Sequence, residues 1–225
     1  MRWPFGIKGI NLNAHWREVD YCAIDLETTG LDLKKDEIVS IGVAQIRNGR
    51  VITEESFYKE VHPVKAPSLS SVRIHGLREV DLESADPLES ALPTFIKAIE
   101  GRVVIAHAAW IEFAFLKNRV RSMGGNFSKN MLDTASLARR TGYAAEMNGK
   151  EPSLESLAKR MNLPVYSPHH ALGDAMTTAI MFLALATEIE REKFAQSATE
   201  LTLRDLLEIS RSHSWRPNIA NRLIK

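Results

Sequence analysis

Asp25 and Glu27 stand two apart in the stretch Tyr21-Cys-Ala-Ile-Asp-Leu-Glu-Thr-Thr-Gly30. Tyr21 to Leu26 is short and mostly apolar, which suits a buried strand, and Thr28-Thr29-Gly30 breaks it. Residues i and i+2 of a strand face the same way, so both carboxylates project from one point of the core. Like charges that close raise each other's proton affinity unless something compensates them. Divalent cations with oxygen ligands are the usual compensation, and Mg²⁺ is the typical hard ion. A solvated pair at a strand end is the plainer alternative, and D-x-E alone leaves both open.

Two further clusters carry candidate chemistry. Val103-Val-Ile-Ala-His-Ala-Ala-Trp-Ile-Glu112 runs from an apolar strand into a helix, placing Glu112 in the first turns. A carboxylate there also suits the positive end of the helix dipole. Tyr166-Ser-Pro-His-His-Ala-Leu-Gly-Asp174 precedes a nearly apolar helix. Were both helical, His169 and Asp174 would lie well apart around the axis, at about 100° per residue. Pro168 favours His169 on the entering loop, leaning over a site that Asp174 faces. Capping or shielding the helix start is the bland role for either His169 or His170. Asp174 sits in a largely buried helix, and a buried Asp needs a partner or a metal.

The elements that must position these groups read as a mixed sheet with helices upon it. Expected strands are 21–26, 36–46, 51–61 and 103–106, with a short fifth strand or turn at 131–134. Asn48-Gly49 signals a hairpin. Residues 62–67 read as a loop and 68–73 as a short helix or turn. Helices are expected over 87–100, 110–123, 154–161 and from His170 to about Glu192. The pattern divides the chain into an N-terminal extension (1–18), a main domain (19–190) and a C-terminal tail (191–225). Trp3, Phe5 and Trp16 are expected to pack on the domain surface. The tail, with Arg211, Arg216, Arg222 and Lys225, is expected to be a frayed, solvated end. Within it, residues 201–209 could form one short amphipathic helix, and a docking peptide or nucleic-acid-touching arm is the alternative to a frayed end.

Composition narrows the classes. The chain has 225 residues, 44% apolar and 25% charged, as a globular protein does. With 29 basic and 28 acidic residues it lacks a broad basic field for gripping long duplex, yet can hold a short nucleic-acid segment. Its single cysteine, Cys22, excludes a disulfide framework and suits a reducing cytoplasm. No segment reads as a membrane span or signal peptide.

The order Asp25-x-Glu27-Thr-Thr-Gly, His107-Ala-Ala-Trp-Ile-Glu112-x-x-Phe-Leu and His169-x-x-x-x-Asp174-Ala resembles the DEDDh 3′–5′ exonucleases. More narrowly it is similar to the proofreading epsilon subunit of bacterial DNA polymerase III. Ile74-His75-Gly76-Leu77 and Leu132-Asp133-Thr134-x-x-Leu-Ala-Arg139 resemble that branch as well. The resemblance covers about residues 18–188. It implies an α/β, ribonuclease-H-like exonuclease fold: a five-stranded mixed sheet flanked by helices. The second motif departs from the usual pattern, with Ala108 for Asn, Ile111 for an aromatic residue and Glu112 for Asp.

The resemblance implies that Asp25, Glu27, Glu112 and Asp174 hold two divalent ions, Mg²⁺ or Mn²⁺. His169 is the natural base to take the proton of the attacking water, since an imidazole ordinarily titrates near neutral pH. Hydrolysis of the last phosphodiester would release nucleoside 5′-monophosphates. Thr28, Thr29 and Leu31 would line the terminal nucleotide, with Ile74, His75 and Ile111 near it. The expected partner is a single-stranded or frayed 3′ end, DNA ahead of RNA. A DNA polymerase subunit is a further candidate partner. An exoribonuclease of the oligoribonuclease or ribonuclease T type and a catalytically silent, polymerase-associated binding module are the alternatives.

Overall fold

The computed structural model describes residues 3–4, 9–123, 125–127, 130–144 and 152–213. Among these, seven strands form two sheets. The main sheet is built from β2 (Tyr21–Thr28), β3 (Ile38–Arg47), β4 (Arg50–Glu60), β5 (Val103–Ala106) and β7 (Leu132–Asp133). Its order is β4-β3-β2-β5-β7. The first three strands form an antiparallel meander, while β5 runs parallel to β2 and β7 parallel to β5. The mixed sheet flanked by helices is thus as expected. A minor parallel pair, β1 (Trp3–Pro4) with β6 (Gly125–Asn126), lies apart from it. Asn48 and Gly49 both take positive φ, as a tight hairpin of this hand requires.

Alternation along β2 sorts its side chains. Cys22, Ile24 and Leu26 join a core with α3 (Leu88–Ile99) and α4 (Trp110–Ser122). Tyr21 and Ala23 face the other way, into a core with α5 (Thr134–Arg140), α6 (Leu154–Arg160) and α7 (Ala171–Ser197). Asp25 and Glu27 continue that second set toward the strand's end, which turns them to the α7 side. Two short helices, α1 (Leu69–His75) and α2 (Glu79–Leu82), lie between β4 and α3. At 27 residues α7 is long and apolar enough to cross a bilayer, but here it is the central helix of the second core.

Both ends of the described chain depart from expectation. Trp16 does not lie on the surface: it is wholly buried, packs edge-on against Phe182 at 5.9 Å, and donates from Nε1 to Glu190. His15 and Arg17 bind the same Glu190 carboxylate, fastening the N-terminal segment to α7. Nor are residues 191–213 a frayed tail. Helix α7 runs on to Ser197, and the short helix expected at 201–209 is present as α8 (Leu203–Ser212), with a capping box between Thr202 and Asp205. Leu201, Leu203, Leu206 and Leu207 are buried in the second core. The physical reason is pairing between distant segments: His15 bridges Thr202, and backbone bonds join 12–16 to 201–204. Local periodicity carries no trace of such a contact. Trp215 to Pro217, Arg216, Arg222, Lys225 and Phe5 lie outside the described residues, as does the side chain of Trp3.

Candidate active site

The site forms where the carboxyl ends of β2 and β5 meet the starts of α4 and α7. One carboxylate oxygen each from Asp25, Glu27 and Asp174 lies within 4.8 Å of the others. Asp25 pairs across the sheet with Gly42, and α7 crosses there at very close range. A Cβ on Gly42 would meet the backbone of Ala171 at 2.2 Å, so only glycine lets the helix carry Asp174 down to Asp25. Gly173 permits a second close approach within α7, where a Cβ would meet the Tyr166 carbonyl at 2.4 Å. This packs the 166–169 loop against the first turn of the helix.

Glu112 enters from α4. It is 4% exposed, and its Oε2 has no hydrogen-bond partner. A buried carboxylate oxygen without a partner is costly, and a cation would satisfy it. The electrostatics agree. Burial pushes the Glu112 carboxyl up to about 8, with the charges of Asp133 and Glu27 adding to it. Glu27 is raised to about 7 by burial and by Asp174. Burial and the charges of Glu112, Glu27 and Asp174 hold Asp25 well above the usual carboxylate range. Asp174 is also raised by burial, against the opposing hydrogen bond from the His169 backbone N–H. Four acids that repel one another at one point fit a divalent metal centre, with Asp25, Glu27 and Asp174 as its tight core and Glu112 beside it.

His169 sits on the loop before α7, exposed, with φ of +60°. Its backbone N–H donates to Asp174 Oδ2 at 2.9 Å. Its ring bears electrostatically on Asp174, His75 and Glu155. His170 is the N-cap of α7: its Nδ1 accepts from Gly173, and its ring stacks on Tyr58 at 4.3 Å.

The residues expected near a nucleotide divide into two groups. Leu31 and Ile74 are 73% and 56% exposed, and α1 is fastened to the strand end through Ser68 and Ser71, both donating to the Thr29 carbonyl. His75 Nε2 lies 3.2 Å from the Thr28 carbonyl oxygen, bringing it to the same rim. Thr29 does not present its side chain there. It is fully buried, donating to Asp36 and accepting from the Glu37 N–H, so it braces the loop from within. Thr28 is nearly buried, its hydroxyl donating to the Gly30 carbonyl. Ile111 is half-buried and packs on the α3–α4 core. His107 is spent structurally, between Thr134 Oγ1 and the Pro152 carbonyl. Sequence reasoning assigned no role to Gly42, Gly173 or Tyr58, and carried Asp133 only within the resembling Leu132-Asp133-Thr134 motif. Gly42 gave a signal, as a glycine inside a stretch that otherwise reads as a strand.

Comparison with known proteins accords with this geometry. The family model described as Exonuclease (RNase_T) matches residues 22–182. A DNA polymerase III PolC-type protein of Thermotoga petrophila is 27% identical over 203 residues, 90% of this chain and 14% of that one. A DNA polymerase III subunit epsilon-like protein of Rhodobacter capsulatus is 32% identical over 188 residues, 82% of this chain and 26% of that one. The chain therefore spans only 14% to 26% of the length of these relatives. Among solved structures, Exonuclease X in complex with 5′ overhanging duplex DNA has a TM-score of 0.61 and 22% identity, covering 84% of this chain and 99% of that one. E. coli exonuclease I in complex with a dT13 oligonucleotide has a TM-score of 0.62 and 17% identity, covering 77% and 42%. Both share the fold. The matched span holds all four acids and His169, and the chain belongs to the exonuclease family, similar to the epsilon-like and PolC-type proteins of bacterial DNA polymerase III.

Proposed function

We propose that this protein is a metal-dependent 3′–5′ exonuclease that releases nucleoside 5′-monophosphates from single-stranded or frayed DNA ends. The observation that carries the reading is the trio Asp25, Glu27 and Asp174 within 4.8 Å, with the unpartnered Glu112 oxygen buried beside it. These four residues would hold two ions, Mg²⁺ or Mn²⁺. When bound, such ions acidify water and offset charge on the phosphorus and the leaving 3′ oxygen.

The chain's own residues supply the rest. His169, exposed and tethered through its backbone to Asp174, takes the proton of the attacking water at its free ring nitrogen. Leu31 and Ile74 offer exposed apolar surface to the unstacked terminal base. Thr29 and Ser71 keep that rim rigid from behind. The close packing of α7 on Gly42 fixes the distance between the two halves of the acid cluster.

The names of the relatives support work beside a DNA polymerase III. The test is degradation of labelled single-stranded DNA and RNA, with and without EDTA, with products resolved by end label. Stepwise loss from the 3′ end of DNA, ending in 5′-monophosphates, is the expected result. Preference for RNA would favour the exoribonuclease alternative. Inertness toward both with either metal would favour a binding module.

A further inference from the structure

We propose that Asp133 is a positioning residue for this site: its carboxylate clamps the left-handed turn at Ala108 from which α4 starts, and so fixes where Glu112 stands. The inference rests on the proposed function for its activity readout, though not for its metal-binding readout.

Ala108 is buried and has φ of +56°. That region is unfavourable for a residue with a Cβ, and glycine or asparagine occupies it more readily. Something must hold the turn. Helix α4 does not hold itself, because Ala109 at its start offers no side-chain cap. The Ala108 N–H instead donates to Asp133 Oδ1 at 3.0 Å, across 25 residues of chain. A charged acceptor makes this hydrogen bond a strong one. The Ala108 carbonyl then accepts from Ile111 N–H at 3.0 Å, opening the first turn of α4. Glu112 follows at once, with no hydrogen bond of its own at Oε2 to keep it in place.

Asp133 is well anchored for this task. Its Oδ1 also accepts from Ala135 N–H and its Oδ2 from the Ser136 hydroxyl, with the Arg139 guanidinium at 3.9 Å. Its own N–H donates to Ser210 Oγ of α8. Capping α5 explains the bonds to Ala135 and Ser136. It does not explain the bond to Ala108, which belongs to a different element and leads to the metal site.

The experiment compares the full chain with Asp133→Ala, Asp133→Asn and the double variant Asp133→Ala/Ala108→Gly. Thermal melting at graded Mn²⁺ gives the half-saturation, and cleavage of single-stranded DNA gives kcat. Asp133→Ala is expected to raise the Mn²⁺ half-saturation about 10–100-fold, the usual effect of losing support behind a metal ligand. Asp133→Asn keeps an oxygen facing Ala108 and loses less. Glycine at 108 holds the left-handed turn without help, so the double variant should recover roughly five-fold or more of the lost affinity. If Asp133→Ala does not fold, Asp133→Asn with and without Ala108→Gly makes the same comparison. A lower melting temperature with the half-saturation of the parent overturns the proposal, as does absence of any recovery with glycine. A parent that binds Mn²⁺ but cleaves nothing overturns the nuclease reading, while the Mn²⁺ series still decides the role of Asp133. A parent whose melting ignores Mn²⁺ overturns both.

Discussion

Replacing Glu112 by glutamine separates stability from function in opposite directions. In the folded, metal-free protein the Glu112 carboxyl is pushed up to about 8, from 4.5. A carboxyl raised on folding binds its proton more tightly in the native state. Its contribution is therefore intact below about pH 4.5 and is lost as pH rises toward about 8. At about 1.4 kcal/mol per pH unit, the full loss is about 5 kcal/mol. Glutamine has nearly the same shape and no charge, but its amide N–H groups need acceptors, at a cost of about 1–3 kcal/mol. The net gain for Glu112→Gln at pH 9 in EDTA is about 2–4 kcal/mol. At about 2–4 °C per kcal/mol for a chain of this size, that is roughly 5–15 °C in melting temperature. At pH 5 the gain should vanish or reverse. Saturating Mn²⁺ should reverse the order at pH 8, because only the parent gains the full binding free energy. Scanning calorimetry in four conditions, pH 5 and 9 with EDTA and pH 8 with and without Mn²⁺, reads all of this. Equal melting at pH 9 in EDTA, or equal stabilisation of both proteins by Mn²⁺, would refute the assignment of Glu112 to a strained metal centre. The same substitution should nearly abolish cleavage, and Glu112→Asp should retain a fraction of it.

Further outcomes follow from other regions of the site. EDTA should stop cleavage and Mg²⁺ or Mn²⁺ restore it; undiminished cleavage in excess chelator would exclude a metal mechanism. His169→Ala should slow cleavage by about 10²–10⁴. His170→Ala should instead cost about 0.5–2 kcal/mol of stability as a lost cap, measured by urea unfolding, with a much smaller rate effect. Gly42→Ala places a Cβ 2.2 Å from the Ala171 backbone, so it should cost about 1–3 kcal/mol and impair cleavage together. Normal activity in that variant would show that α7 can step back without disturbing Asp174. Leu206→Ala, in the wholly buried face of α8, should cost about 2–5 kcal/mol in denaturant unfolding, where a frayed tail would cost nothing.

Much of this architecture was legible because the signals were local. Apolar runs marked β2 and β5, Asn48-Gly49 marked the hairpin, and the i, i+2 rule alone turned Asp25 and Glu27 to one face. Pro168 likewise put His169 on a loop ahead of α7. What could not be read depended on atoms far apart in sequence. Burial of Trp16 requires Phe182 and Glu190, and the docking of α8 requires the 12–16 segment. Thr29 reads as a polar residue beside a site, and only the fold shows it consumed by Asp36 and Glu37. Asp133 reads as part of a short strand or turn, and its cap on α5 and its bond to Ala108 become visible only when β7 lies beside β5.

The lie of α8 has a mechanical consequence. Its first turn is stitched to the segment entering β2, through Leu203 and Arg204 N–H groups donating to the Ala14 and Leu12 carbonyls. Its last turn is bolted to the other end of the domain, where Ser210 accepts from Asp133 and the His213 carbonyl from Arg139. The helix is thus a strut rather than an appendage. Tension applied at residue 213 would reach the strand that holds Asp133 within one turn, through the Ser210 bond, while the rod carries the rest to the segment entering β2. Force or torque on that helix would then be felt at Ala108, and the aperture of the acid cluster would become a function of load.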